Sequence, residues 1–384
     1  MSPVWRLRWS AAFLLRLFSR LEMSKVLSLL VRPRMPWRLR HLLENSTNRC
    51  YYHVNWLHYR ARPRASKCSV AIAGGFHGRS GGVTAIANLA NMLAVHYHVH
   101  FFTYPTSNYN RLLRKSVRMV DELATDSPVL LCDVACPINI IRTAKERMQT
   151  VIVTCHALAD SLHGFTPKYV RDTLLLADLV HFVSPTQQDS FKLPDDKFRI
   201  IPNFTSPIRK TAITDSVGIV GSLKDPRKNV SEAIAIALKS RADCVHLWGD
   251  AESLWAAHPR VKTHSWTSNK ARIYDSFDVL IHLSKEETFG MVVIEAMSAG
   301  LPCLLSSIPA FAQFRGCPGV RSIDDNNRDQ APQILDELLM MKHDIRADIV
   351  DFWQNHFSEQ AVADTWLRLI DAICDGPSDR GPCK

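Results

Sequence analysis

Short apolar runs alternate with amphipathic stretches from residue 69 to about residue 307. In the first half the runs are SVAIAG (69–74), VHFFT (99–103), PVLLCD (128–133), TVIVTCH (150–156), DLVHFVS (178–184) and FRIIPN (198–203). Each is apolar nearly throughout, as expected of strands in a parallel sheet covered on both faces. Helical stretches separate most of them. The clearest runs from Val83 to Ala94 and puts Ile86, Leu89, Ala90 and Leu93 on one face. It follows a glycine-rich loop, GGFHGRSGG (74–82). Such βαβ alternation predicts a doubly wound α/β domain.

Residues 204–216, FTSPIRKTAITDS, are polar and interrupted, and read as a linker. A second alternation then begins. Its strands are VGIVGS (217–222), CVHLWGD (244–250), VKTHSW (261–266), DVLIHLS (278–284) and PCLLSS (302–307), with a helical region from about Asp329. The expected architecture is therefore α/β, with two Rossmann-like domains in tandem and a cleft between them. Ligands bind such sheets at the carboxyl ends of the strands. The expected boundaries are an N-terminal extension over 1–68, one Rossmann-like domain over 69–208, a second over 217–350, and a helix over 351–374.

Length agrees with this division: 384 residues exceed one ordinary core, and a hydrophobic fraction of 46% is enough for two. The formal charge of +10 is unevenly placed. Fourteen Lys/Arg and two acids fall in residues 1–68, leaving 33 basic and 35 acidic groups in the rest. A basic arm on a near-neutral body points to a membrane surface or an anionic partner, and away from nucleic acid. The arm begins WRLRWSAAFLLRLFSRL, where Trp5, Trp9, Phe13, Leu14, Leu17 and Leu21 recur at helical spacing among Arg6, Arg8, Arg16 and Arg20. That pattern fits an amphipathic helix lying on an anionic leaflet. A disordered leader, or an over-called start with Met23 or Met35 as initiator, is the alternative. A second basic stretch, RLLRKSVR (111–118), puts Arg111, Arg114, Lys115 and Arg118 at helical spacing. The ten cysteines follow no framework spacing and read as buried residues of a reducing compartment.

The stretch KEETFGMVVIEAMSAGLPC (285–303) carries the chemistry. Glu286 and Glu287 fall on the loop after DVLIHLS. A helix is expected from near Gly290 to before Gly300, with Glu295 in its second turn. The free N–H groups of its first turn would favour anionic oxygens, and Gly290 allows a close backbone approach.

Glu287-x7-Glu295, filled by Thr-Phe-Gly-Met-Val-Val-Ile and followed by Ala-Met-Ser-Ala-Gly-Leu-Pro, strongly resembles the signature of retaining nucleotide-sugar glycosyltransferases of GT-B fold. The match is to the large "group 1" family, which includes lipopolysaccharide and mannosyl transferases. GRSGGV (78–83), TVIVTCH, DLVHFVSP (178–185), IIPNF (200–204) and VGSLKDPRKN (220–229) are similar to the family's other landmarks, in the family's order.

The resemblance makes 69–208 the acceptor-side domain and 217–350 the nucleotide-sugar-binding domain, with the 351–374 helix packing back on the first, and it implies roles residue by residue. Lys228 would neutralise the donor diphosphate. The N–H groups of Phe289, Gly290, Met291 and Val292 would hold diphosphate and sugar oxygens. Glu287 would face the transferred sugar or its positively charged transition state, and Glu295 the ribose hydroxyls. Gly81 and Gly82 would admit the phosphates from the other domain, and His156 would contact the donor sugar or acceptor region. Glu287, His156 and Lys228 are the expected catalytic set. Ser222 stands where the family commonly has Arg, and Arg227 is the nearby substitute. The implied partners are a nucleotide-sugar donor, a glycan or lipid-linked acceptor and an anionic membrane, with the protein peripheral on the inner face of the cytoplasmic membrane. No Asp-x-Asp triplet occurs, which fits a metal-independent enzyme needing no cofactor. Two other readings are a catalytically silent scaffold, supported by Ser222, and a dinucleotide-dependent oxidoreductase. Phe76 and Arg79 break the Gly-x-Gly-x-x-Gly pattern that the second requires.

Overall fold

A computed structural model of the chain describes residues 69–375, apart from 75–79, 104–108, 125, 137, 160–166, 251–254 and 256. The basic arm of residues 1–68 lies outside the described residues. Among those described, no helix is long and apolar enough to cross a membrane.

The first half forms a seven-stranded sheet of β1 (Ser69–Gly74), β2 (His98–Thr103), β3 (Arg118–Val120), β4 (Val129–Asp133), β5 (Thr150–Cys155), β6 (Leu179–Phe182) and β7 (Phe198–Ile200). Its order is β3-β2-β1-β4-β5-β6-β7. The helices along it are α1 (Gly81–Leu93), α2 (Ile138–Glu146), α3 (Pro167–Leu176) and α4 (Pro185–Phe191). The second half forms a six-stranded sheet of β8 (Ser216–Gly221), β9 (Cys244–Gly249), β10 (Val261–His264), β11 (Val279–His282), β12 (Cys303–Ser306) and β13 (Val320–Ile323), in the order β10-β9-β8-β11-β12-β13. Its helices are α5 (Val230–Lys239), α6 (Lys270–Tyr274), α7 (Met291–Ser298), α8 (Ala331–Met341), α9 (Arg346–His356) and α10 (Glu359–Cys374). Both sheets have the doubly wound order, which reverses direction beside the first strand of each.

By contacts, the described residues of Met1–Val153 and Leu162–Asp178 form one compact unit, and those of Thr154–Ser161 and Leu179–Lys384 the other. In the first, β1 and β4 are buried along their whole length, as their continuous apolar sequence requires. In the second, Val217, Ile219, Val245, Leu247, Val279, Ile281 and Leu304 form one core with Ala233, Ala237, Leu335 and Leu338 of α5 and α8.

Several expectations change. The basic stretch 111–118 is not a helix: a single 3-10 turn ends at Arg111, irregular chain follows, and Arg118 opens β3. Pairing with β2 (Phe101↔Met119, Phe102↔Val120) outweighs the local helical spacing. The glycine loop is shorter than read, because α1 starts at Gly81, where Ser80 Oγ caps it by accepting the Val83 N–H (3.2 Å). Strands β3 and β13 were not expected from the pattern. Both are edge strands and only partly buried, so neither leaves the continuous apolar run of a covered strand.

Of the stretch read as a linker, Ser216 already opens β8, and residues 204–215 are irregular but firmly tied. Lys210 Nζ meets Asp278 Oδ1 at 2.9 Å, with both side chains 3% exposed. Lys342 Nζ reaches Asp278 Oδ2 at 3.5 Å and also pairs with Asp215. A buried carboxylate is tolerated there because two ammonium groups face it.

One packing constraint gives a direct test. A Cβ on Gly218, in the middle of β8, would lie 2.3 Å from ring carbons of the fully buried Phe277. Gly218→Ala is therefore expected to destabilise the protein by about 1–3 kcal/mol. Urea unfolding should show a lower midpoint at unchanged slope; an unchanged midpoint would mean that the ring has room to yield.

Candidate functional site

Strands β8 and β11 are neighbours, and they flank the point where the order of the second sheet reverses. Their carboxyl-end loops carry most of the residues singled out above. Gly221 ends β8 at φ +140°, and in the loop after it Asp225 caps a 3-10 turn over Pro226–Lys228 by accepting the Arg227 N–H (3.0 Å). After β11, the Lys285 N–H donates to Arg227 O (2.8 Å) and ties the two loops together. That bond is the local reason that Lys228 and Glu287 meet.

Lys228 Nζ donates to Glu287 Oε1 in an ion pair with side chains only 21% and 15% exposed. His282 Nε2 donates to the same oxygen (2.9 Å), and Ser284 Oγ donates to it at 3.1 Å. Among the described residues no hydrogen bond reaches Glu287 Oε2. Burial pushes the Glu287 carboxyl up, but the His282 hydrogen bond and the Lys228 charge outweigh it and hold it at about 2. Burial lowers His282 further than Glu287 raises it, so the imidazole is neutral and donates from Nε2. The result is an ionised, shielded carboxylate with one oxygen fixed and one oxygen open to a ligand.

Glu287 is followed by α7. Gly290 caps this helix at φ 104°, ψ 61°, and a Cβ there would lie 2.9 Å from Phe311 Cε1. Only glycine takes that conformation in that space without strain. Val293 N–H closes the first turn on Gly290 O (3.0 Å), so the N–H groups of Met291 and Val292 precede the first bonded one. The ring of Phe289 turns into the core against Phe314 and Phe357, which leaves its backbone as the part available to a ligand. Thr288 O accepts a hydrogen bond from Ser184 Oγ (2.6 Å) and holds this turn.

Glu295 is buried in the second turn of α7 and is engaged on both oxygens. Tyr274 Oη donates to Oε2 (2.7 Å) and Lys270 Nζ pairs with Oε1 (2.6 Å). Any ligand hydroxyl would share these oxygens. Arg227 does not stand free as a second phosphate cation: Asp225 holds it through two nitrogens, and Glu286 lies 3.6 Å from its Nη1. Ser222 is exposed at the loop tip.

His156 follows β5, in the same unit as Glu287 but in a hydrogen-bonded group of its own. Buried Gln187 on α4 grips the carbonyls on both sides of it, Cys155 O at 2.7 Å and Ala157 O at 3.0 Å. Thr154 Oγ1 lies 3.0 Å from His156 Nε2 and 2.8 Å from His181 Nδ1. Burial lowers His156 to about 3 and His181 to about 4, so both are neutral near pH 7. Gly81 and Gly82 open α1 in the other unit.

Sequence reading missed His282, Ser284, Tyr274, Lys270, Thr154, His181 and Gln187. A signal existed for two of them. His181 and His282 each interrupt an apolar strand run, and a buried imidazole needs partners.

Residues 214–338 match the family model described as glycosyl transferases group 1. This segment is a group 1 glycosyl transferase domain. The match takes in β8 to most of α8, including every residue from Ser222 to Glu295 discussed above. No curated protein matches the chain. Solved structures do. Anabaena Alr3699/HepE in complex with UDP and glucose superposes at a TM-score of 0.65, with 14% identity over 78% of this chain and 99% of that chain. Sucrose-phosphate synthase from Thermosynechococcus elongatus gives 0.63, with 15% identity over 78% and 98%. The apo form of the lipopolysaccharide outer core galactosyltransferase WaaB gives 0.59, with 15% identity over 79% and 99%. At these identities the likeness is one of fold: the group 1 domain belongs to a two-sheet α/β chain of GT-B architecture.

Proposed function

We propose that this chain transfers a sugar from a nucleoside-diphosphate sugar, with retention of configuration, to a glycan or lipid-linked acceptor in cell-surface polysaccharide or lipopolysaccharide synthesis. The observation that carries the reading is the Lys228–Glu287 pair beside the Gly290 start of α7, inside the group 1 domain. The departing diphosphate gains negative charge, and Lys228 with the first N–H groups of α7 would stabilise it, in place of a metal ion. The sugar carbon becomes oxocarbenium-like, and Glu287 Oε2 is the oxygen open to it or to a sugar hydroxyl. Glu295 would accept from the ribose hydroxyls alongside Tyr274. His156 would take the donor sugar or acceptor side, and Gly81 and Gly82 would let backbone approach the phosphates.

The bound UDP and glucose of HepE support a uridine diphosphate sugar as the first donor to test. The WaaB likeness supports a lipopolysaccharide-type acceptor. A basic arm on a near-neutral body supports attachment to the inner face of the cytoplasmic membrane.

The test is calorimetric titration with UDP, GDP and ADP, then transfer or slow hydrolysis of the matching sugars with and without EDTA. Micromolar binding of one nucleotide and EDTA-insensitive turnover are expected. Absence of binding to all three overturns the proposal in favour of a silent scaffold, the reading that Ser222 supports.

A further inference from the structure

His181 sits in the middle of the buried strand β6, 3% exposed, and the reaction outlined above gives it no task. Its hydrogen bonds run in one direction only. Nε2 lies 2.8 Å from Ile201 O, and a carbonyl can only accept, so Nε2 carries the proton. A neutral imidazole then has a bare Nδ1, which accepts from Thr154 Oγ1 at 2.8 Å. A hydroxyl has a single hydrogen, so Thr154 Oγ1 has only a lone pair to offer His156 Nε2 at 3.0 Å. His156 must therefore donate from Nε2, which leaves Nδ1 as its acceptor.

The surroundings keep the chain from reversing. Trp366 of α10 closes over His181 in an edge contact, with ring centroids 4.6 Å apart, and is itself 1% exposed. A protonated His181 would donate from both nitrogens and turn the Thr154 hydroxyl around, but burial beneath an indole opposes that charge. Gln187 holds the backbone on both sides of His156, so its ring has little freedom to choose another partner.

We propose that His181 and Thr154 are positioning residues that hold His156 as the Nε2–H tautomer and present Nδ1 as a hydrogen-bond acceptor for a ligand hydroxyl. A chain running the other way would present a donor, which suits an anionic oxygen. The site is thereby built to receive a hydroxyl-bearing group, not a phosphate, at His156. The bearing on transfer rests on the proposed function; the tautomer does not.

The experiment is a long-range proton–nitrogen correlation spectrum of the full chain labelled with nitrogen-15 histidine, with His156 assigned by loss of its signals in His156→Gln. Wild type is expected to show a protonated Nε2 and a bare Nδ1 at His156, and Thr154→Ser to keep them. Thr154→Val and His181→Phe should give a mixture of tautomers or the opposite one. Turnover by Thr154→Val should fall about tenfold, the worth of one misdirected hydrogen bond, with Thr154→Ser near wild type. A wild-type His156 protonated on Nδ1 overturns the proposal even if the variants do not fold. So does an unchanged Nε2–H tautomer in folded Thr154→Val. A tautomer that changes while turnover does not leaves the relay standing and removes His156 from the reaction.

Discussion

Replacing Lys228 with Ala is expected to lower kcat/KM for the donor sugar by about 10²–10³-fold, mostly through kcat, because its charge is needed most as the diphosphate leaves. The same change frees Glu287 Oε1 of its cation while His282 and Ser284 remain. The carboxylate therefore stays hydrogen-bonded, and the fold should survive a substitution that the chemistry does not. In the free protein Lys228 is bound to Glu287, so donor binding has to share or exchange that ion pair. Lys228→Arg should recover only part of the activity, since the wider guanidinium fork cannot keep the ion pair to Glu287 Oε1 and also act as a point charge on phosphate. Steady-state kinetics with the identified donor check both expectations. Full activity in Lys228→Ala would remove this residue from the catalytic set.

The second large effect is on stability against acid. The Glu287 carboxyl titrates at about 2 in the folded protein, against 4.5 in an unperturbed chain. Between those values the unfolded state holds the extra proton. The contribution of Glu287 is thus complete above about pH 4.5 and is lost as the pH falls toward 2, amounting to on the order of 3 kcal/mol. Glu287→Gln should be less stable than wild type at pH 7 by a similar order, and the two stabilities should converge as the pH drops below 4.5. The buried His181, at about 4, weakens the fold in the same direction but from pH 6.5 downward, and Glu287→Gln leaves that part unchanged. Urea unfolding from pH 7 to pH 3 separates the two windows. Parallel curves for wild type and Glu287→Gln would mean that Glu287 is not held ionised by its neighbours.

Much of the fold could be read along the chain, because a buried parallel strand leaves a continuous apolar run. β1, β4, β5, β9, β11 and β12 all fall within runs recognised from the pattern, β8 begins one residue before its run, and two rounds of alternation predicted two sheets. Local spacing failed where partners decided the outcome. Arg111, Arg114, Lys115 and Arg118 have helical spacing, yet Arg118 enters β3 because β2 offers an unpaired edge. The linker read as merely polar, yet the side chain of Lys210 is buried, since Asp278 and the Phe277 carbonyl receive its ammonium (2.9 Å to each).

By itself, then, the sequence determined the two α/β rounds, the loop position of Glu287, the helical position of Glu295 and the glycine at the start between them. These are properties of contiguous residues and their periodicity. Only the tertiary structure decided which groups face these carboxylates. Lys228 is 59 positions from Glu287, Tyr274 is 21 from Glu295, and His181 is 27 from Thr154. Such pairings leave no periodic trace, because strand order and loop closure create them after the chain has folded. The same reasoning covers Arg227: in sequence it resembled a spare phosphate cation, and only folding placed Asp225 and Glu286 around its charge.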